Sequence, residues 1–153
     1  MGLFGGKGDT SGGMKPGFRD FKWGGAAAPQ MEVLDEHAES KFCWIPNDDL
    51  TFAGATVGKI VYEFWENRFA EVVIEMSAES ADRILKDLNA GWGKPTQSNK
   101  FIEDLLWRNK AAGPEATTAV FSRNPNTRAA TLTISSTYIK AKKALAKGKP
   151  PAR

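Results

Sequence analysis

The strongest pattern of apolar positions runs from residue 57 to residue 76, where two mostly apolar runs are separated by Glu66 and Asn67. Both halves are rich in β-branched and aromatic residues, which favour strands. Because Asn tolerates the left-handed backbone of a tight two-residue turn, the pattern predicts a β-hairpin with Glu66 and Asn67 as its loop.

The register implied by that loop gives the hairpin two partly apolar faces. One face pairs Phe64 with Phe69, Tyr62 with Glu71 and Ile60 with Val73, and the other pairs Trp65 with Arg68, Glu63 with Ala70 and Val61 with Val72. A sheet with one solvated face alternates more cleanly than this. We therefore expect either that other elements cover part of both faces or that one face contacts a partner.

The candidate partner-binding residues on the second face are Val61, Trp65, Arg68 and Val72. Trp65 is the first choice for an anchor, because it stands at the hairpin tip on the less clearly buried face and tryptophan often anchors interfaces. The alternative is that Trp65 packs across the strands over the aliphatic stem of Arg68.

Helical spacing is strongest over residues 77–89, where Ser77 is a good N-cap and Gly91 supplies a stop. A shorter helix is predicted over residues 29–40, and residues 137–147 could continue as a helix. The apolar positions that support the first two helices are Ala81, Ile84, Leu85 and Leu88, and Met31, Leu34 and Ala38.

Further strands complete the prediction. They are expected at residues 42–45, 50–52, 101–108, 117–123 and 129–136. The fold class is therefore α+β: a mainly antiparallel sheet of about five or six strands with two helices. We expect one domain over residues 18–139, a flexible glycine-rich arm over residues 1–17 and a basic tail over residues 140–153.

Charge is segregated along the chain. The 153 residues include 21 Lys+Arg and 18 Asp+Glu. The last fourteen residues carry six cations and no acid, so the remaining 15 basic and 18 acidic residues give the body a net charge of −3. The candidate polyanion-binding residues of the tail are Lys140, Lys142, Lys143, Lys147, Lys149 and Arg153.

Two interpretations of the tail stay open. It could attract nucleic acid, an acidic protein or a membrane surface, or it could be a solvated terminus. Lysine outnumbers arginine and no aromatic residue follows Tyr138. Both features argue against specific base readout and favour nonspecific attraction.

No catalytic, metal-binding or cofactor-binding set is evident. His37 is the sole histidine and lies among acids, without a nucleophile beside it. Cys43, between Phe42 and Trp44, is typical of a small buried hydrophobe. The adjacent pair Asp48-Asp49 is explained by turn solvation rather than by a calcium loop. We therefore expect a protein that is not an enzyme.

The sequence predicts a cytoplasmic location. It holds no apolar run long enough to span a membrane, and its N-terminus lacks the charged and apolar regions of a secretory signal. A single cysteine allows no internal disulfide, which fits a reducing compartment. A mature secreted form with its signal removed would show the same features.

Three segments carry a resemblance: FRDFKWG at residues 18–24, KIVYEFWENRF at 59–69 and GWGKPTQ at 91–97. In this order the chain resembles small uncharacterised bacterial proteins that open with a Phe-Arg-x-x-Lys-Trp-Gly-type segment and continue with a Tyr-x-Phe hairpin, a helix and Gly-Lys-Pro. The resemblance would cover residues 18–136. Those proteins have no assigned chemistry, so the resemblance implies no site.

The leading hypothesis is a non-enzymatic interaction or structural subunit. It would contact a protein partner, or a second copy of itself, through the partly apolar sheet face, with the arms ordering on binding. The alternative is nonspecific binding of nucleic acid or another polyanion through the tail. An enzyme ranks third, because active sites need convergent titratable groups.

Overall fold

The computed structural model describes residues 13–97 and 101–147. Within these ranges the chain forms short and long strands and two helices. The strands are β1 (Gly17–Phe18), β2 (Phe21–Lys22), β3 (Glu32–His37), β4 (Ser40–Trp44), β5 (Thr51–Phe52), β6 (Ala55–Thr56), β7 (Lys59–Trp65), β8 (Arg68–Met76), β9 (Thr96–Gln97), β10 (Asp104–Arg108), β11 (Thr117–Arg123) and β12 (Ala130–Ser136). The helices are α1 (Ala78–Trp92) and α2 (Thr137–Ala146).

Eight strands form one sheet in the order β3-β4-β7-β8-β12-β11-β10-β9, and every neighbouring pair is antiparallel. After β8 the chain crosses through α1 to the far edge, and β10, β11 and β12 return to the centre beside β8. The predicted α+β class, the mainly antiparallel sheet and the number of helices are confirmed. The expected five or six strands are wrong, since this sheet has eight.

Part of the difference lies in residues 29–40, which form β3 and the start of β4 rather than a helix. Ala38 has a φ of 56°, a left-handed conformation that turns the chain back at the β3–β4 connection. Leu34, one of the three apolar positions at helical spacing, is exposed. Three such positions could not bury a helix, whereas β3 gains backbone hydrogen bonds along β4.

The predicted hairpin is confirmed, with β7 and β8 joined by Glu66 and Asn67. These two residues have φ values of 52° and 63°, the pair of left-handed conformations that a primed turn requires. The helix that follows is also confirmed at its start, where the Ser77 hydroxyl accepts a hydrogen bond from the Ser80 N–H at 3.3 Å. Its end is not at Gly91 but at Gly93, whose φ of 89° closes the helix.

One face of the sheet forms the main core. In register across five strands lie Ile60, Ile74, Leu132, Phe121 and Leu105. All five are buried, and α1 contributes to the same cluster. Burial of one such side chain stabilises a fold by about 1.5–3 kcal/mol, so this row makes the sheet and α1 one packed unit.

The β1–β2 hairpin packs on the same core. Phe18 and Phe21 lie with ring centroids 6.0 and 5.4 Å from that of Tyr62. Within the predicted arm, Met14 packs against the core and the backbone carbonyl of Lys15 accepts a hydrogen bond from Thr117 Oγ1 at 3.1 Å. Residues 13–17 are thus part of the packed structure, while residues 1–12 of that arm lie outside the described residues.

Gly17 is the position where this hairpin depends on glycine. Its φ is 156°, and a Cβ placed there would lie 2.1 Å from the carbonyl oxygen of Phe21. We expect Gly17→Ala to lower the free energy of unfolding by about 2 kcal/mol or more, because the clash is with backbone that cannot move aside cheaply. Denaturant unfolding measures the loss.

Gly58→Ala is the matched control. A Cβ at Gly58 would meet its nearest atom, the Glu75 carbonyl oxygen, at an ordinary 3.5 Å. We expect this variant to stay within about 1 kcal/mol of wild type. Equal losses from the two variants would contradict the argument for Gly17.

Candidate interaction surface

The second face of the sheet is covered over part of its area by α2. This helix follows β12 directly, and its first turn is capped by Ser136, whose hydroxyl accepts a hydrogen bond from the Ile139 N–H at 3.0 Å. Ile139 then packs with Trp65 and Ala70 in a small core of its own. Of the two alternatives for a hairpin that is partly apolar on both faces, cover by other elements of the chain applies at this end of the hairpin.

Trp65 lies beneath α2 rather than at the surface. Only 6% of the residue is exposed, and the Arg68 guanidinium carbon is 5.2 Å from its ring centroid. This is the arrangement that the sequence offered as the alternative to an anchor. Arg68 itself stays half-buried and also donates a hydrogen bond to Glu66 Oε1 at 3.0 Å.

Val72 lies on the opposite face from Val61, so the predicted register is wrong beyond the hairpin tip. The pairs Phe64–Phe69 and Trp65–Arg68 form as predicted, but the register then shifts and Glu63 pairs with Glu71. Ala70 is the extra residue of a β-bulge at this shift. Val72 consequently pairs with Tyr62 and is fully buried in the main core.

The same shift aligns a row of mostly apolar side chains on the second face, which we call the open-face row. Its members are Val61, Val73, Thr133, Val120 and Leu106, in register on β7, β8, β12, β11 and β10. Val120 is exposed and the other four are half-buried. Because neighbouring strands lie about 4.8 Å apart, the row is roughly 20 Å long.

Polar side chains border the open-face row on both sides. The border away from α2 contains Lys59, Glu75, Thr131, Ser122 and Asp104, and the border toward α2 contains Glu63, Glu71, Ser135, Thr118 and Arg108. Protein interfaces commonly have an apolar centre with a polar rim. The arrangement on this face has that layout.

Glu63 and Glu71 face each other directly across β7 and β8, and two lysines of α2 compensate their charges. Lys143 Nζ donates a hydrogen bond to Glu63 Oε2 at 2.5 Å, and Ser40 Oγ donates to the same oxygen at 2.7 Å. Lys140 Nζ lies 2.8 Å from Glu71 Oε1 and 3.8 Å from Glu63 Oε1. Directly opposed like charges destabilise a sheet. The two lysines offset this repulsion, and the ion pairs fix α2 over the two glutamates.

The network sets the ionisation of Glu63. Burial alone would raise the pKa of this carboxyl, but the hydrogen bonds from Lys143 and Ser40 and the charges of Lys140 and Lys143 together outweigh it. The pKa of Glu63 is therefore lowered from its ordinary value. Glu63 is a buried carboxylate with its counter-charges in place, which is the form of a structural ion pair.

The tail residues fall into three groups. Lys140 and Lys143 contact the carboxylates of the sheet, so α2 extends across the predicted boundary between domain and tail. Lys142 and Lys147 are exposed, with Lys142 Nζ 5.0 Å from the centroid of the Tyr138 ring. The predicted residues Lys149 and Arg153 lie outside the described residues.

The residues considered for catalysis are dispersed. His37 is exposed on β3, whereas Cys43 is buried on β4, and burial raises the pKa of its thiol. Among residues 13–97 and 101–147, no three His, Cys, Asp or Glu side chains gather closely enough to hold a metal ion. In the same part of the chain, neither helix has the length and apolar character needed to cross a membrane.

Sequence reasoning missed a cluster around Asp48. Arg19 Nη1 donates to Asp48 Oδ1 at 2.7 Å and lies 3.3 Å from the Tyr62 hydroxyl, while Arg19 Nη2 donates to the Asp49 carbonyl oxygen at 2.5 Å. Burial is the main cause that raises the pKa of Tyr62 to about 12. Arg19 and Asn47 both have a positive φ in the turns that carry this cluster, and no spacing in the sequence signals that the two turns meet.

No family model matches the chain, and neither a curated protein nor a solved structure matches it. The resemblance to small bacterial proteins therefore stays a prediction.

The ion-pair network yields a stability prediction. Lys143→Met keeps the aliphatic stem but leaves the buried Glu63 carboxylate without its nearest cation, so we expect a loss of roughly 3 kcal/mol in the free energy of unfolding. Lys142→Met is the control on the same helix and should lose no more than about 1 kcal/mol. Urea unfolding measures both, and similar losses would contradict the assigned role of Lys143.

The lowered pKa of Glu63 predicts a pH dependence. Between the lowered folded pKa and the unfolded pKa of about 4.3, the unfolded chain binds more protons than the folded one, so stability falls as pH falls. The difference in unfolding free energy between wild type and Glu63→Gln should be full at neutral pH and shrink as the pH drops through that window. Urea unfolding at a series of pH values measures it, and a difference that grows in acid would refute the assignment.

Proposed function

We propose that this protein is a non-enzymatic interaction subunit that contacts a protein partner through the open-face row. The observation that carries the proposal is the alignment of Val61, Val73, Val120 and Leu106 across adjacent strands, beyond the area that α2 covers. A partly exposed apolar stripe bordered by polar side chains is typical of interaction sites. In this proposal Trp65 and Val72 do not touch the partner, because both are buried within the subunit. They support the surface from within, Trp65 beneath α2 and Val72 in the main core.

The dimensions of the row favour a partner that offers a complementary stripe rather than a large obligate interface. The row is roughly 20 Å long and one residue wide. The area it can bury is therefore small compared with the about 800 Å² per partner of a standard interface. The proposed occupant is therefore a protein surface with its own short apolar stripe and a polar rim. A second copy of this chain is the other occupant that the experiment must distinguish.

The alternative, nonspecific binding of a polyanion through the tail, has less support. Lys140 and Lys143 are engaged by Glu63 and Glu71, so four of the six proposed cations remain for such binding. A cytoplasmic location is part of the leading proposal and rests on the single cysteine.

Site-specific photo-crosslinking tests the proposed surface. A photoreactive amino acid at Val120, in the full chain in its own cells, should give a discrete adduct with one protein. The same probe at Lys86, an exposed position on α1, is the control and should not give that adduct. An adduct of twice the mass of the chain would assign the partner as a second copy.

The adduct should depend on the apolar character of the row. Adding Leu106→Lys to the Val120 probe should reduce the adduct about tenfold, because a charge is placed where apolar surface would be buried. Circular dichroism checks that this variant remains folded. The proposal fails if Val120 gives no adduct, or if Lys86 gives the same one.

A further inference from the structure

The edge strand β3 combines acidic and large apolar side chains at the surface. Val33 and Leu34 lie between Glu32 on one side and Asp35 and Glu36 on the other, the pairing with β4 shifts by a β-bulge between Val33 and Asp35, and all six residues of β3 are exposed. Val33 and Leu34 are 50% and 48% exposed, and Trp44 on the neighbouring β4 is 40% exposed. An edge strand also has backbone N–H and C=O groups available for pairing with another strand.

A cavity opens beside this edge. Its volume is about 360 Å³, and its apolar wall is formed by Leu34, Trp44, Ile45, Leu50 and Ile60. Binding sites for small molecules and side chains begin at volumes of about 300 Å³ and are mostly apolar with a few polar groups. The carboxylate that this cavity includes is Asp48.

Asp48 is only partly satisfied within the fold. Its side chain is 11% exposed, Oδ1 accepts the hydrogen bond from Arg19, and the Tyr62 hydroxyl also interacts with the carboxylate. Its Oδ2 is buried and has no hydrogen-bond partner among the described residues. A buried carboxylate oxygen without a donor is costly, so a ligand that brings an N–H group there gains a charge-assisted hydrogen bond.

From these features we infer that β3 and the Asp48 cavity together bind an extended, basic segment of a protein partner. The segment adds a strand to β3 and places a lysine or arginine side chain in the cavity. Its aliphatic stem lies along Trp44 and Leu34, and its cationic group donates to Asp48 Oδ2. This surface adjoins the β7 end of the open-face row, where Lys59 borders both, but pairing along the edge of β3 is a different contact, so the inference goes beyond the proposed function.

The charges around the cavity fit a cationic guest. Glu32 pairs with Trp44 in the β3–β4 register and therefore adds negative charge at the mouth. Lys59 also borders the cavity, but its cross-strand neighbour is Glu75. Arg19 is already engaged by Asp48 and by the Asp49 carbonyl oxygen. Of the two cations near the cavity, Arg19 is therefore paired with Asp48 and Lys59 lies opposite Glu75. Acidic side chains predominate along β3, so the surroundings favour a cationic guest.

A second copy of this chain, or an edge that merely resists pairing, fits β3 less well. Pairing of β3 with β3 would bring the acidic side chains of two strands together, which is destabilising. The acids and the β-bulge between Val33 and Asp35 protect this edge from unwanted pairing, but protection alone does not account for exposed Leu34 beside the cavity or for the unpartnered Asp48 oxygen.

Two matched hexapeptides test the inference on the full chain. Acetyl-Lys-Val-Lys-Val-Lys-Val-amide is the probe, and its glutamate counterpart with the same valines is the control. In ¹H–¹⁵N NMR titrations the basic peptide should shift the amide signals of β3 and of Trp44, while the acidic peptide should leave them unchanged. Butylammonium, which offers the cation without a strand, should bind more weakly and leave the signals of β3 in place.

Variants separate specific docking from general attraction. Asp48→Asn should weaken the basic peptide about tenfold, because the charged acceptor is lost. Since Asn also weakens the contact with Arg19, Leu34→Ser provides a second variant at an exposed position and should weaken binding as well. Leu145→Ser removes an exposed leucine from α2 and should not.

The inference is overturned if the acidic peptide binds as well as the basic one, or if neither Asp48→Asn nor Leu34→Ser changes the affinity. Shifts confined to other surfaces would overturn it too. None of these results bears on crosslinking from Val120, so failure here and failure of the proposed function are distinguishable.

Discussion

The β-bulge at Ala70 is the constraint on which the arrangement of both sheet faces depends. Side chains alternate along a strand, so one extra residue in β8 exchanges the faces of everything that follows it. Val72 and Ile74 thereby reach the main core, and Glu71 and Val73 reach the second face. Because β8 lies between β7 and β12, the bulge also determines which residues of β12, β11 and β10 share each face.

The bulge brings an electrostatic problem that the C-terminal helix solves. It sets Glu63 opposite Glu71, two acids that would repel each other across the central strands. Lys140 and Lys143 meet them from α2, and Ile139 covers the apolar gap beside Trp65 and Ala70. Two cations of the tail therefore have a structural role. The basic end of the chain neutralises acidic side chains of the central strands.

Local signals in the sequence were sufficient for some elements and not for others. The turn at Glu66-Asn67 and the N-cap at Ser77 were predictable because each depends on residues adjacent in the chain. The bulge was not predictable, because the same order of valines and glutamates is compatible with a regular strand and with a strand that has one extra residue. The pairing of Glu63 with Lys143 joins residues 80 positions apart, which no periodicity reveals. The helix predicted in place of β3 was wrong because three apolar residues at helical spacing also fit an exposed edge.

The position of α2 after every strand has a consequence for synthesis of the protein. A ribosome completes β7 and β8 well before it reaches Lys140 and Lys143, so a nascent chain with its hairpin formed holds two unneutralised glutamates side by side. Trp65 and Ala70 lack the cover of Ile139 over the same interval. The second face can therefore mature only after α2 has been synthesised, and until then it stays open to chaperones and to misassociation.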